Sequence, residues 1–166
     1  MLVPAIKYRE ELQSAYHDLW FNERYMYWNG GPTYYSLEID DNTDKYHQFA
    51  SVDKHGDVIG YLSYSIDRIQ NDVDSVSILN FSDKPNMTFS RDIGQGLRDI
   101  FEKYKFRKVS FYVVVGNPIE KSYDKLMQRY GGRIVGVQKK HAKLIDGEYH
   151  AGKLYEILRE DYIKHM

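Results

Sequence analysis

This sequence predicts one α/β domain, with a mixed, mostly antiparallel twisted sheet flanked by helices. Two observations carry the prediction. Three short strand-like runs follow one another between residues 46 and 81, separated by turn signals, as in an antiparallel meander. Beyond Pro85 the apolar period switches, giving the order helix, strand, helix and hairpin. The 166 residues contain no internal repeat and no linker-like stretch, so residues 1–166 form a single domain with a sizeable core.

The elements follow in chain order. Tyr8, Leu12, Ala15, Tyr16, Leu19 and Trp20 recur at helical spacing and predict one or two amphipathic helices over residues 8–25. Asn29, Gly30, Gly31 and Pro32 break the chain, and a polar stretch at 40–44 precedes the meander. Its strands are residues 46–52, 58–67 and 75–81, with turns at 53–57 and 71–74. Ile93, Leu97, Ile100, Phe101 and Tyr104 then mark a helix. Residues 108–115 are apolar on both faces from Phe111 onward, as a strand covered on both sides reads. The strand–helix–strand order around residues 93–104 implies a parallel, right-handed crossover. A second helix, residues 118–130, buries Ile119, Tyr123, Leu126, Met127 and Tyr130 and ends at Gly131-Gly132. The last unit is a hairpin of residues 133–144 and 148–158, turning at Asp146-Gly147.

Composition narrows the function. Hydrophobic content of 42% and charged content of 28% suit a folded domain, and a net charge of −1 announces no polyanion partner. The short basic runs 101–108 and 138–143 read as solvated faces, so no nucleic acid is expected. With no cysteine there is no disulfide, thiolate nucleophile or thiolate metal site, which fits a reducing cytoplasm. The six histidines show no ligand spacing, so no metal is expected. No apolar run nears the roughly 20 residues of a membrane helix, and residues 1–7 are too short for a signal peptide.

The segment Arg91, Asp92, Ile93, Gly94, Gln95, Gly96, Leu97 needs an explanation. Glycine inside a helix costs about 1 kcal/mol relative to alanine, and two here suggest that a bulky group approaches the backbone. At a helix start, free N–H groups and the dipole make an anion site, and Arg91 adds positive charge. Asp92 must point away from such an anion. The alternative is a frayed helix start with flexible glycines. A third glycine of the dinucleotide fingerprint is missing, and no Gly-Lys-Ser/Thr follows as in a P-loop.

Arg91 to Gly96 resembles the Arg/Gln-x-x-Gly-x-Gly/Ala signature of the GNAT superfamily of N-acyltransferases, and follows a meander as it does there. The resemblance covers residues 46–162. It implies that acetyl-CoA is the co-substrate, its pyrophosphate held by backbone groups of residues 91–97. Residues 56–61 look like the family's second hairpin. Asn117 looks like its asparagine beside the pantetheine arm, and Ser122 is a further candidate for a contact to the coenzyme. Asn80 or Phe81 would give a backbone N–H for the oxyanion. Residues 146–149 and 155–162 are similar to the branch that acetylates ribosomal-protein N-termini and small amines.

Asn117-Pro118-Ile119-Glu120 is also a helix-start signature, with Asn as cap. The family's tyrosine, a general acid toward the leaving thiolate, falls on Met127 counting back from Gly131 and on Tyr123 counting forward from Asn117. Tyr123 is thus either that acid or a core residue. The third strand, residues 75–81, has no carboxylate to serve as base; Asp83, Asp67 and His47 are substitutes. The resemblance puts the acceptor site in the region of Trp20, Phe21, Tyr25, Tyr27, Trp28, Tyr34 and Tyr35; most of these rings are expected to pack a helix pair on the sheet, with one or two walling the acceptor pocket. The expected reaction is transfer of acetyl from acetyl-CoA to a primary amine. A module that binds acyl-CoA or a peptide without turnover is the alternative, and a homodimer stays open.

Overall fold

The computed structural model of the chain describes residues 1–20, 22, 27, 36–82 and 84–166, with the backbone alone at Trp20. The antiparallel meander is there, with a short strand added in front: β1 (Leu2–Pro4), β2 (Tyr46–Val52), β3 (Val58–Asp67) and β4 (Asp72–Asn80) lie side by side. The remaining strands, β5 (Lys108–Val114), β6 (Arg133–Lys143) and β7 (Tyr149–Leu158), complete a seven-stranded sheet of order β1-β2-β3-β4-β5-β7-β6. Every pairing is antiparallel except β4 with β5, the parallel junction that the strand–helix–strand order predicts.

Two clusters cover the two faces. On one face, α1 (Arg9–Trp20) and the 3-10 turn before it bring Leu12, Tyr16, Leu19 and Ala5 onto Ala50, Val52, Tyr61 and Leu79. The other face carries α2 (Met87–Arg98), α3 (Glu120–Tyr130) and α4 (Arg159–His165). There Phe89, Ile93 and Leu97 of α2 meet Leu62 and Tyr64, while Met127, Tyr130 and Tyr162 meet Tyr155 and Ile157. Each such buried side chain contributes about 1.5–3 kcal/mol. A single π turn, Asp99–Lys103, follows α2 and sets Ile100 and Phe101 in the core. None of the described helices is long and apolar enough to cross a membrane.

Several boundaries differ from expectation. The β3–β4 turn occupies residues 68–71, with Asn71 at φ 57, so β4 starts at Asp72 rather than Ser75. The second helix of the strand–helix–strand half begins at Glu120, two residues after Pro118. Most consequentially, α2 starts at Met87 and not at Arg91. Asn86 accepts hydrogen bonds from the Thr88 and Phe89 N–H groups at 3.0 and 3.1 Å, a complete N-cap. The apolar stripe accordingly begins one turn earlier, at Phe89. The expected break at residues 29–32 lies outside the described residues.

Candidate active site

Sheet continuity fails at one place. β4 and β5 pair only at Asp72↔Lys108 and Val73↔Val109, yet β4 runs on to Asn80 and β5 to Val114. The other edge of β4 is occupied by β3, and that of β5 by β7 along its whole length. Past Val73 the two strands therefore diverge with facing peptide edges and no ladder between them. Ser75, at φ 49, bends β4 where the divergence starts. The closed end is clamped: Asp72 accepts from Arg107 at 2.6 Å and pairs with Lys108 Nζ at 3.4 Å.

At the open end the Phe81 N–H donates to the Ile59 carbonyl at 3.1 Å, so it is committed to β3. Antiparallel alternation turns the N–H groups of Ile78 and Asn80 the other way, toward β5. The Asn80 side chain braces the corner into α2, donating to Lys84 O and accepting from Ser82 N.

Residues 91–97 lie in the second and third turns of α2, where helical bonding uses their N–H groups. Arg91 and Gln95 are exposed; Asp92, Ile93, Gly94, Gly96 and Leu97 are buried. Asp92 faces the sheet and accepts from Ser51 Oγ at 2.6 Å. The glycines have a packing reason. A Cβ on Gly94 would stand 2.9 Å from the Tyr130 hydroxyl, and one on Gly96 2.6 Å from Leu62 Cδ2.

The turn after β5 carries the next group. Asn117 Oδ1 accepts from the Ile119 N–H at 3.1 Å, closing the turn that leads into α3. Ser122 is exposed in the first turn of α3. Tyr123 is half-buried, its ring 5.4 Å from Phe111 and 6.3 Å from Tyr155. Burial, and then nearby Tyr155, push its hydroxyl up from its ordinary value, so it keeps its proton. Its hydroxyl has no hydrogen-bond partner among the described residues. Met127, the other register, is core. Beside Tyr123, Lys153 joins Asp124 at 2.8 Å and Glu120 at 3.0 Å, and Tyr155 donates to Asp124 at 2.8 Å. Lys153 holds the Asp124 carboxyl below its usual range, and burial followed by the bond to Asp124 pushes Tyr155 up to about 12.

The proposed bases stand apart from this opening. Asp67 caps the β3–β4 turn at the opposite end of the strands, accepting from Ile69 and Gln70 N–H groups. His47 is buried on β2, 2.9 Å from the Tyr64 hydroxyl and edge-on to Tyr104. Asp83 lies outside the described residues, as do Phe21, Tyr25, Trp28, Tyr34 and Tyr35 and the side chain of Trp20. Tyr27 is described, and its ring is 3.7 Å from where a Cβ on Gly116 would stand, against the β5–α3 turn.

Sequence reasoning passed over His141. Its ring lies over Gly152 of β7, where a Cβ would come within 2.5 Å of it, and edge-on to Tyr112 of β5 at 4.2 Å. The β6–β7 ladder is irregular between Gln138 and Ala142, with Lys140 at φ 50. That irregularity hid the ring's direction from an alternation reading.

The chain matches no protein-family model, and none of the curated proteins matches it in sequence. Solved structures do match its fold. A putative acetyltransferase superposes with a TM-score of 0.72 at 18% identity, covering 99% of this chain and 85% of its own. A GCN5-related N-acetyltransferase from Brucella melitensis gives 0.72 at 18%, covering 98% and 76%. A chimera of the spermidine N-acetyltransferase from Vibrio cholerae gives 0.69 at 23%, covering 94% of each chain. The chain thus has the fold of these acetyltransferases.

Proposed function

We propose that this chain transfers the acetyl group of acetyl-CoA to a primary amine, of a small molecule or of a protein N-terminus. The observation that carries the reading is the divergence of β4 from β5 after two residue pairs. Exposed peptide edges inside a sheet call for an extended ligand with amide groups of its own, which the pantetheine arm supplies. On this reading the Ile78 N–H, turned toward β5, meets that arm, and the thioester lies at the open end near Asn80 and Asn117. Arg91, exposed on α2, meets the coenzyme phosphates with its side chain. Tyr123 returns a proton to the leaving thiolate, and Ser122 borders the same opening. Tyr27, against Gly116, forms part of the acceptor wall. The amine attacks the thioester carbonyl directly, with no covalent enzyme intermediate.

A second reading is favoured by one observation: the described residues offer no carboxylate at the open end of β4. It is a module that binds acyl-CoA without turnover. Calorimetry with coenzyme A, followed by thiol release from acetyl-CoA over a panel of amines, separates the readings. Binding with thiol release supports the enzyme; binding without it supports the module; absence of binding at millimolar coenzyme refutes both.

A further inference from the structure

Resting on the acetyl-transfer reading, we propose that His141 is the proton acceptor for the attacking amine, working from the sheet face opposite α2, α3 and α4. The placement follows from pairing alone. Val109, Phe111 and Val113 of β5 point into the cluster beneath those three helices, so Tyr112 points to the other face. His141 rests edge-on against Tyr112, which places the imidazole on that face too. α1 covers this face over β2, β3 and β4, and among the described residues no helix covers it over β5 and β7.

Position along the strands matters as well. The ring lies over Gly152, and Gly152 is paired with Val114, the last residue of β5. His141 therefore stands one strand away from the open end of the divergence, a separation of about 5 Å that bridging water spans to a reacting amine. The site is shaped for the ring: any side chain at position 152 would occupy its place, and Tyr112 fixes its tilt. Neither ring nitrogen has a hydrogen-bond partner among the described residues, and the residue is only half-buried. By contrast, the Nδ1 of His47 is engaged by Tyr64, and His150 is paired with Asp146 at 2.8 Å. Around His141, β5 presents Tyr112 and β7 presents Gly152, with no charge from either. Its own strand carries exposed Lys139, Lys140 and Lys143, and the His150–Asp146 pair lies beyond Ala142. Imidazole is the side chain whose ordinary range lets it take and release a proton near neutrality.

The step balances. The amine nitrogen gives its lone pair to the thioester carbonyl carbon, the C–S bond breaks, and sulfur leaves with the bonding pair. The proton lost by nitrogen goes to His141 and then to solvent; the thiolate takes one from Tyr123, which solvent replaces.

The test uses the full chain, acetyl-CoA and the amine that the wild type turns over best. His141→Gln keeps a polar side chain over Gly152; His141→Ala leaves a hole of imidazole size. Thiol release is expected to fall by roughly 10²–10⁴-fold in both. Coenzyme affinity and melting temperature should hold, and the fall in kcat/KM on the acid side of the pH profile should disappear. Added imidazole should restore rate to His141→Ala and not to the wild type. A variant that keeps the wild-type rate and acid limb overturns the assignment, as does a rate loss matched by lost coenzyme affinity. A wild type that binds coenzyme A yet releases no thiol with any amine overturns the acetyl-transfer reading and this inference with it.

Discussion

Replacing Gly96 with alanine sets two terms of known sign against each other. In an unobstructed helix the change stabilises by up to about 1 kcal/mol. Here the new Cβ would stand 2.6 Å from Leu62 Cδ2 and 3.4 Å from Leu2 Cδ1. Carbon atoms in contact prefer about 3.5–4.0 Å, so Leu62 must retreat by about 1 Å. Leu62 is only 3% exposed, so retreat means overpacking, at about 1–3 kcal/mol. Gly96→Ala should therefore be neutral to destabilising by about 2 kcal/mol, at about 2–4 °C of melting temperature per kcal/mol. Leu62→Val should release the strain, so that alanine is favourable in that background. A double-mutant cycle by urea unfolding reads this coupling, with coenzyme affinity followed in parallel. Affinity should stay put, because the peptide groups of residue 96 are inside the helix. If Gly96→Ala stabilises the unaltered chain, the packing account fails; if it instead weakens coenzyme binding, the glycine serves a ligand. Gly96→Asp should unfold the domain, since its carboxylate would be buried against Leu62.

Further outcomes follow from other residues. Tyr123→Phe should lower turnover by roughly 10²–10⁴-fold with coenzyme affinity little changed; an unaltered rate would leave Tyr123 as a core ring. Arg91→Ala should weaken coenzyme A more than a pyrophosphate-lacking analogue and flatten the salt dependence of binding; equal losses for both would refute a phosphate contact. Burial, then the Arg68 charge, hold His47 below its ordinary value of 6.5, so the unfolded chain takes this proton first. The stability His47 confers is complete above pH 6.5 and lost as pH falls through its folded value. His47→Gln should remove that loss in urea titrations, and an unchanged acid slope would exclude His47 as its source. Asp72→Asn should destabilise by roughly 1 kcal/mol, modest because Arg107 is half exposed, and high salt should shrink the difference.

The fold was legible because its signals are local. The residues 53–57 turn, Gly131 in the left-handed region after α3 and the Asp146-Gly147 hairpin all sit where composition put them. The start of α2 at Met87 is marked by the Asn86 cap and by Phe89, four residues before Ile93, signals weaker in the sequence than the two glycines. In a sequence, Gly94 and Gly96 read the same whether a phosphate or the side chains of Tyr130 and Leu62 press on the backbone; the structure supplies the side chains. The site was less legible. The divergence of β4 from β5 begins beside a positive φ at Ser75, a residue with no preference for that conformation. The setting of His141 depends on Gly152, which its own strand does not announce.

The divergence also bears on how the protein survives its own synthesis. A sheet interrupted in its middle has four strand borders instead of two, and the inner pair is rich in β-branched and aromatic residues: Val76 and Ile78 on one side, Phe111, Tyr112, Val113 and Val114 on the other. Unpaired borders of that composition are what neighbouring chains use to aggregate. Whatever ligand fills the gap therefore also caps it, so soluble yield and resistance to aggregation on warming should rise with the coenzyme present during refolding, even for variants that have lost all turnover.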